Sequence, residues 1–470
     1  MNARAQWLGW DGRILRLRAD VPCALHLDGA LFEPVAAGEF AREIAFAPGG
    51  GAEMELSLRA VDGRDPDGTW RVRFGAPAQP GVDAWSGAAR TLQALADLPF
   101  PTVEKWHSAP PAAIVVPIYN SPQCVQRCIA ALLRHTPPAR RKILIDDAST
   151  DPAVAQILRE FARRPDVLIR RNERNLGYTA SCNLGIELAG RADVVLLNAD
   201  TQVGPRWLER LRLTAYSDTR IGTVTAVSDN AGAFSVPELE KFCPIPERWM
   251  LEQAQRSLLQ QCGGCLPQLP TGNGFCMYVK REVFDRVGAL DVAAFPSGYG
   301  EENDLCQRAE REGFRHVIAG DVLVQHERSA SFGDERRAAL GAQGMAVLRQ
   351  RYPDYEAQVG VTLWSFERRV LDWRVRRLYA GTDGHYATQP PRPRLALADA
   401  NSDFEDAAAA ECLRPDVDDP IALRAWLAHC AIEAVQTGNP LVARAAASVG
   451  VPAFDASGLA RWVANTPPLA

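Results

Sequence analysis

The stretch AAIVVPIYN, residues 112–120, decides the fold class. It does not alternate apolar with polar residues. A continuous apolar run of this length has the character of a strand buried on both faces of a parallel sheet. The run stops at Tyr119 and Asn120, where polar groups begin.

Outward from it the same texture repeats. The pattern predicts a helix from Cys124 to His135, a strand in KILIDDAS (142–149) and a helix near Val154 to Arg163. A strand in VLIRR (167–171), a helix from Ser181 to Leu188 and a strand in ADVVLLNAD (192–200) follow. Strand–helix alternation of this kind predicts a doubly wound α/β sheet. Such sheets bind ligands at the carboxyl ends of their strands. Those ends carry Tyr119 and Asn120, then Asp146 and Asp147, then Asn198 and Asp200. Neither G-x-G-x-x-G nor G-x-x-x-x-G-K-[ST] follows the first strand, so a nucleotide is gripped by other means. A carboxylate such as Asp147 can accept a base N–H or a ribose hydroxyl hydrogen. Asp200 can hold a divalent cation that neutralises a diphosphate. A lone aspartate at a strand end serves equally as a cap or turn residue, and Ser149 in DASTD suits an N-cap.

At 470 residues the chain is long enough for two or three domains. A hydrophobic fraction of 47% with 23% charged residues is that of a globular protein with a sizeable core. The formal net charge of −5 gives no bulk attraction to nucleic acid or to an anionic membrane. No apolar run approaches a membrane span, and MNARAQWLGWDGRIL has no signal-peptide core, so a cytoplasmic protein is expected. Eleven cysteines, irregularly spaced, read as reduced thiols. Cys262 and Cys265 form a C-x-x-C with no second pair in register, and ordinary loop or half-buried cysteines are expected there rather than zinc ligands.

The chain divides by texture. Residues 1–78 hold GRILRLRADV, CALHLDGA, EMELSLRAV and GTWRVRFG, period-two segments that predict a small β-sandwich-like accessory domain. Residues 79–110 are a Pro/Gly linker with a helix in ARTLQALADL. Residues 111–345 are the α/β domain, 346–390 a helical extension, and 391–470 a helical C-terminal region, patterned most clearly in IALRAWLAHCAIEAV. In the extension, Leu363, Phe366, Val370 and Trp373 share a predicted helix face. Arg368, Arg369, Arg374, Arg376 and Arg377 make the rest basic. Packing on the α/β domain with a solvated basic face is favoured over peripheral contact with an inner membrane or a partner enzyme.

GYGEENDLCQRA (298–309) sets Glu301, Glu302 and Asp304 just ahead of a helix whose pattern starts near Leu305. One acid at a helix start is ordinary. Three repel one another and point to chemistry.

VPIYN, IDDASTD, NLGYTASCN, LNADT, TGNGFCMYVKREVFDRVGALD and GYGEENDLCQRA occur in that order. The set resembles the family-2 glycosyltransferases over about residues 111–345. GTVTAVSDNAGAFSVPE looks like the branch that builds bacterial surface polysaccharides, including rhamnosyltransferase-like members. The resemblance implies a GT-A nucleotide-diphospho-sugar transferase fold, a mixed, mostly parallel sheet between helices. It implies an inverting transfer from a dTDP-, UDP- or GDP-linked sugar to a hydroxyl of a glycan, lipid-linked glycan or protein. The process implied is O-antigen- or lipopolysaccharide-like biosynthesis, with Mn2+ or Mg2+ as cofactor and no nucleic-acid partner.

Residue by residue, the resemblance implies that Pro117, Tyr119 and Asn120 line the nucleotide pocket and that Asp146 and Asp147 contact base and ribose. Asn175, Gly177 and Asn183 border the donor. Asn198 takes the first place of the family's D-x-D, where a neutral oxygen replaces the acid, and Asp200 keeps the metal-binding place. His326, at the end of VLVQH, completes the metal site, and an imidazole ligand favours Mn2+ over Mg2+. Glu302 is the base for the acceptor hydroxyl, and Glu301 and Asp304 raise its proton affinity by repulsion. Toward the acceptor stand Ser228, Asp229 and Asn230, with Gly272, Asn273 and Gly274 of a glycine loop. Trp249 suits either sugar stacking or core packing. All these residues lie between Pro117 and His326, so residues 108–390 are expected to suffice for donor hydrolysis, with the flanking modules serving acceptor capture or assembly. Two other classes are weighed. A non-catalytic binding module is expected to lose the acids or Asp200, and a nucleotidyltransferase is expected to carry a basic glycine-rich loop where YNSPQC stands.

Overall fold

A computed structural model describes seven strands between residues 5 and 73, then residues 110–327, 334–363, 366–381, 392–399 and most of 410–465. The helix expected in ARTLQALADL lies outside the described residues.

The N-terminal strands are β1 (Ala5–Trp10), β2 (Ile14–Ala19), β3 (Cys23–Leu27), β4 (Ala30–Val35), β5 (Gly38–Glu43), β6 (Glu53–Ala60) and β7 (Gly68–Arg73). They form two antiparallel sheets, ordered β1-β2-β5 and β4-β3-β6-β7. The period-two pattern marks β2, β3, β6 and β7; the other three are additional. Leu17, Leu25 and Leu58 are buried among them.

The main sheet is built from β8 (Ala112–Ile118), β9 (Lys142–Asp146), β10 (Val167–Arg171), β11 (Asp193–Leu197), β12 (Thr201–Val203), β13 (Ile221–Ser228), β14 (Cys276–Val279) and β15 (Arg315–His326). Its order is β10-β9-β8-β11-β14-β13-β15-β12. The pairs β10–β9, β9–β8, β8–β11 and β13–β15 are parallel. The pairs β11–β14, β14–β13 and β12–β15 are antiparallel. This is a GT-A-like α/β architecture.

Strand β8 shows why its sequence is apolar throughout. Ile114, Val116 and Ile118 join the cluster of Val125, Ile129 and Leu132 from the helix Pro122–His135. Ala113 and Val115 point the other way, against Cys182 and Ile186 of the helix Tyr178–Leu188 and Leu305 of the helix Glu301–Arg311. Strand periodicity of two thus serves two cores at once. A Cβ on Gly185 would overlap the Val115 side chain, so this glycine sets how closely its helix approaches the sheet. Pro117, which has no N–H to offer, falls beyond the last β8–β11 pairing at Val115.

The C-terminal region departs from the expected helices. Strands β16 (Arg394–Leu397), β17 (Glu411–Leu413), β18 (Ile432–Gln436) and β19 (Ala453–Phe454) form a parallel sheet ordered β17-β16-β18-β19. Helices Pro440–Ser448 and Ala456–Asn465 accompany it. The last four residues of IALRAWLAHCAIEAV, from Ile432 to Val435, are therefore strand. Its short apolar run is buried on both faces, and periodicity alone does not separate that from a buried helix. The unit docks on the main domain. Leu213 shares its core with Val435, Val442 and Ala446, and Arg206 donates to the carbonyl of Val449 at 3.2 Å.

The extension also differs in detail. Helix Phe366–Ala380 turns Arg368, Leu371, Arg374, Val375 and Leu378 inward. Arg368 donates to the carbonyls of Ala233 and Ser235 and pairs with Asp372, and Arg374 donates to the carbonyl of Gln261. Two arginines expected on a solvated face thus serve buried carbonyls with their several N–H groups. The side chains of Phe366, Val370 and Trp373 lie outside those described. Trp249 is core: it is buried, meets Tyr379 edge-on at 6.1 Å and lies under Arg248. No described helix is long and apolar enough to cross a membrane.

Candidate active site

Thr201 pairs with His326 across β12 and β15, and this pairing brings the end of β11 to the end of β15. His326 Nε2 lies 3.3 Å from Asp200 Oδ1. The other ring nitrogen, Nδ1, donates to the Asn230 carbonyl at 3.0 Å. The ring stacks on Phe275, with centroids 5.4 Å apart and an interplanar angle of 17°. A carbonyl can only accept, so Nδ1 carries the proton and Nε2 presents its lone pair beside the carboxylate. This arrangement suits a divalent cation: a carboxylate oxygen and an imidazole nitrogen side by side, the imidazole oriented by a carbonyl behind it. Among the described residues no three His, Cys, Asp or Glu side chains converge as a complete cage.

Ser228, Asp229 and Asn230 are placed differently from the acceptor-side expectation. Asp229 Oδ1 accepts from the His326 backbone N–H at 2.9 Å and from Ser228 Oγ at 3.1 Å. Burial raises the proton affinity of Asp229. Together with the Asn230 carbonyl, these residues brace His326. The reason is topological: they end or follow β13, the parallel neighbour of β15.

The acidic residues divide by helix geometry. The helix starts at Glu301, not near Leu305, with Gly300 as its cap. Gly298, Tyr299 and Gly300 all have positive φ, and a Cβ on Gly300 would overlap the Phe295 ring. Glu301 is buried and accepts from the Gly300 N–H at 3.0 Å. Burial, and next the neighbouring Glu302 carboxylate, push its pKa well above the ordinary carboxyl range. Glu302 Oε2 is buried and has no hydrogen-bond partner. Asp304 does not join this pair. It accepts from Arg308 Nε, Arg351 Nη1 and Tyr352 OH, each at 2.8 Å, and is fully buried. Its charge is answered by arginines, so it anchors the helix rather than tuning Glu302. Asn303, which the motif reading passed over, donates to Thr271 Oγ1 at 2.8 Å and ties the acid turn to the glycine loop.

That loop packs tightly. Cβ atoms on Gly272 and Gly274 would overlap Met277 and the Tyr178 hydroxyl. Asn273 Oδ1 accepts from the Phe275 N–H at 3.1 Å. Tyr178 OH lies 3.1 Å from Asn198 Oδ1 and 3.3 Å from the Gly274 carbonyl. Tyr178 was visible within NLGYTASCN, but nothing in that stretch showed that it reaches the N-A-D segment.

On the nucleotide side the expected carboxylates already have partners. Asp146 is paired with Arg171 and accepts from the Ser149 N–H at 2.9 Å. Asp147 accepts from Asn172 Nδ2, Leu176 N and Gly177 N, within 2.8–2.9 Å. Both brace the strand ends and the loop before Gly177 rather than standing free for base and ribose. Asn120 has positive φ, and its Oδ1 accepts from the N–H groups of Thr150 and Asp151 at 2.8 and 3.0 Å. Ser149 is not the cap: its Oγ accepts from Asn120 N, and Asp151 caps the helix Pro152–Phe161. Asn175 Oδ1 accepts from Gly177 N at 3.1 Å. Gly177 has φ 89°, and a Cβ there would overlap the Pro296 carbonyl. Asn183 clasps Leu290, donating to its carbonyl at 2.8 Å and accepting from its N–H at 3.1 Å, which is a scaffold role. Tyr119 remains exposed beside Asn120, Pro117 is partly buried, and the half-exposed Arg171 is a cation the motif reading missed.

Residues 113–288 match the model of the family described as Glycosyl transferase family 2. Glycosyltransferase AglE of Haloferax volcanii is 29% identical over 225 residues, which are 46% of this chain and 67% of that protein. An uncharacterized glycosyltransferase of Escherichia coli, YibD, is 30% identical over 106 residues, 23% of this chain and 30% of that protein. The crystal structure of GalNAc-T7 with UDP, GalNAc and Mn2+ aligns at a TM-score of 0.41 and 16% identity, covering 68% of this chain and 71% of that one.

Proposed function

We propose that this family-2 glycosyltransferase domain transfers a sugar, with inversion, from a nucleotide-diphospho-sugar to a hydroxyl acceptor. The observation that carries the reading is Glu302 Oε2, a buried carboxylate oxygen without a partner, beside the Glu301 carboxyl, whose proton affinity burial raises. An unpartnered buried acceptor is costly unless something else uses it. An acceptor hydroxyl donating to Glu302 satisfies it. Glu301 Oε2 already accepts from the Gly300 N–H, so the unpartnered Glu302 oxygen is the one placed to take the proton from that hydroxyl as the new bond forms. A positioned base of this kind contributes about 10²–10⁴-fold in rate.

Asp200 and His326 are the residues that hold a divalent cation. A bound cation supplies charge neutralisation for the departing diphosphate. Asn230, Asp229 and Phe275 hold the imidazole for that purpose. Tyr119, Asn120 and the wall built by Asp146, Asp147 and Arg171 border the nucleotide. GTVTAVSDNAGAFSVPE supports the branch that builds bacterial surface polysaccharides, including rhamnosyltransferase-like members, acting at the cytoplasmic face. The donor is dTDP-, UDP- or GDP-linked, and the assay decides among them. Incubation with a panel of these sugars and Mn2+ or Mg2+, with free nucleotide diphosphate as readout, tests the reading. Release that needs Glu302 supports it; a panel without release by the folded chain, with surface-glycan acceptors supplied, rejects it.

A further inference from the structure

The hydrogen bond between Tyr178 and Asn198 poses a problem of donors and acceptors. The phenol has one proton. It faces Asn198 Oδ1 at 3.1 Å and the Gly274 carbonyl at 3.3 Å. With the amide oxygen toward the phenol, two acceptors share one proton. With the amide turned over about χ2, its nitrogen donates to the phenol oxygen and the phenol donates to Gly274. Both bonds are then made. Amide oxygen and nitrogen are assigned from such networks, so chemistry selects the second orientation.

The backbone of Asn198 cannot relieve the conflict. Its N–H donates to the Phe275 carbonyl at 3.0 Å, and its carbonyl accepts from Thr201 Oγ1 at 2.7 Å. Only the amide is left to choose. A phenol carries its proton at neutral pH. The other end of the amide makes no hydrogen bond with described residues, and Asn198 is partly exposed on the strand end that carries Asp200.

We propose that Tyr178 is a positioning residue that turns the Asn198 amide, nitrogen toward the phenol and oxygen toward the cation site of Asp200. The chain thereby keeps an oxygen where the resembled motif has a carboxylate. This rests on the cation reading above.

A carboxylate has two equivalent oxygens and needs no such turning, and the test uses this. Mn2+ binding to the full chain is measured by electron paramagnetic resonance of free Mn2+, with UDP or GDP present and no sugar. Tyr178→Phe weakens binding by about tenfold, the scale at which partners behind a ligand act. Asn198→Asp binds at least as tightly as the parent. Adding Tyr178→Phe to Asn198→Asp changes little, because either oxygen serves. A merely structural Tyr178 would weaken both backgrounds equally, and that result overturns the proposal, as does an unchanged Tyr178→Phe. If Tyr178→Phe lowers the melting temperature too far for comparison, Asn198→Asp alone decides. Tighter Mn2+ binding supports an outward oxygen; weaker binding, from repulsion of the diphosphate, shows an outward N–H and overturns it. Asp200→Asn separates the two levels. Wild-type binding in that variant removes the cation reading and this inference with it, whereas lost binding beside an unaffected Tyr178→Phe overturns the Tyr178 role alone.

Discussion

Arg256 and Glu433 form an ion pair at 2.8 Å with each side chain only 2% exposed, and it joins helix Leu251–Gln261 to strand β18. Both carboxylate oxygens lie within 3.0 Å of Arg256 Nε. The pair sits between the α/β domain and the C-terminal unit. It alters the expectation that residues 108–390 suffice, because removing the C-terminal unit leaves Arg256 without its partner and uncovers Leu213. Glu433→Ala is expected to cost about 3–5 kcal/mol, as when one member of a buried pair is removed. Urea unfolding of the full chain measures it. A change below about 1 kcal/mol, the scale of an exposed pair, would show the contact to be dispensable.

Glu302→Gln keeps the shape of the side chain and removes its basicity. Transfer is expected to fall by about 10²–10⁴-fold while nucleotide-sugar binding survives. Asp304→Asn acts differently. It weakens the contacts to Arg308, Arg351 and Tyr352, so the loss appears first as a lower melting temperature. Comparing turnover at a temperature where both variants are folded separates base from anchor. Near-normal turnover in Glu302→Gln would reject Glu302 as the base.

His316 gives the stability a pH dependence of known sign. Its Nε2–H donates to the Cys306 carbonyl at 2.9 Å, and Nδ1 accepts from Thr223 Oγ1 at 2.8 Å. Burial lowers its pKa from 6.5 to about 4. The folded chain therefore resists a proton that the unfolded chain accepts. Stability is full above about pH 6.5 and falls as the pH drops toward 4, by on the order of 3 kcal/mol from this group. His316→Gln should flatten that part of the profile while lowering stability at neutral pH. A variant with the parent's slope between pH 6.5 and 4 would show that other groups set it.

What the sequence disclosed followed from periodicity and motif order. AAIVVPI had to be buried on both faces, and the two core clusters on β8 bear that out. The ordered strand ends located Asp200, and VLVQH located His326. Their partners were harder to see. That Asn230 orients His326, or that Tyr178 reaches Asn198, depends on which strand neighbours which, and no local pattern carries that information. Asp304 misled because helix spacing places it near Glu301 without saying that Arg351, 47 residues on, answers its charge. The C-terminal strand β18 was taken for helix because IEAV is short and wholly apolar but for Glu433, whose burial depends on Arg256.

The Asp200–His326 pair yields the last prediction. If these side chains hold a cation together, their losses are not independent. Removing His326 takes a nitrogen from beside Asp200 Oδ1 and leaves the carboxylate in place, so His326→Gln is expected to raise the Mn2+ concentration for half-maximal activity. Removing the orienting carbonyl is impossible by side-chain change, but Phe275→Leu removes the ring stacked on the imidazole and should act in the same direction more weakly, because it loosens the ligand without deleting it. Asp200→Ala should abolish activation, and adding His326→Gln to it should do nothing further, since contacting ligands of one site couple strongly. Mn2+ should outperform Mg2+ in the parent and lose that advantage in His326→Gln, because an all-oxygen shell suits Mg2+. Additive losses in the double variant, or an unchanged Mn2+ preference in His326→Gln, would mean that the imidazole serves the fold and not the cation.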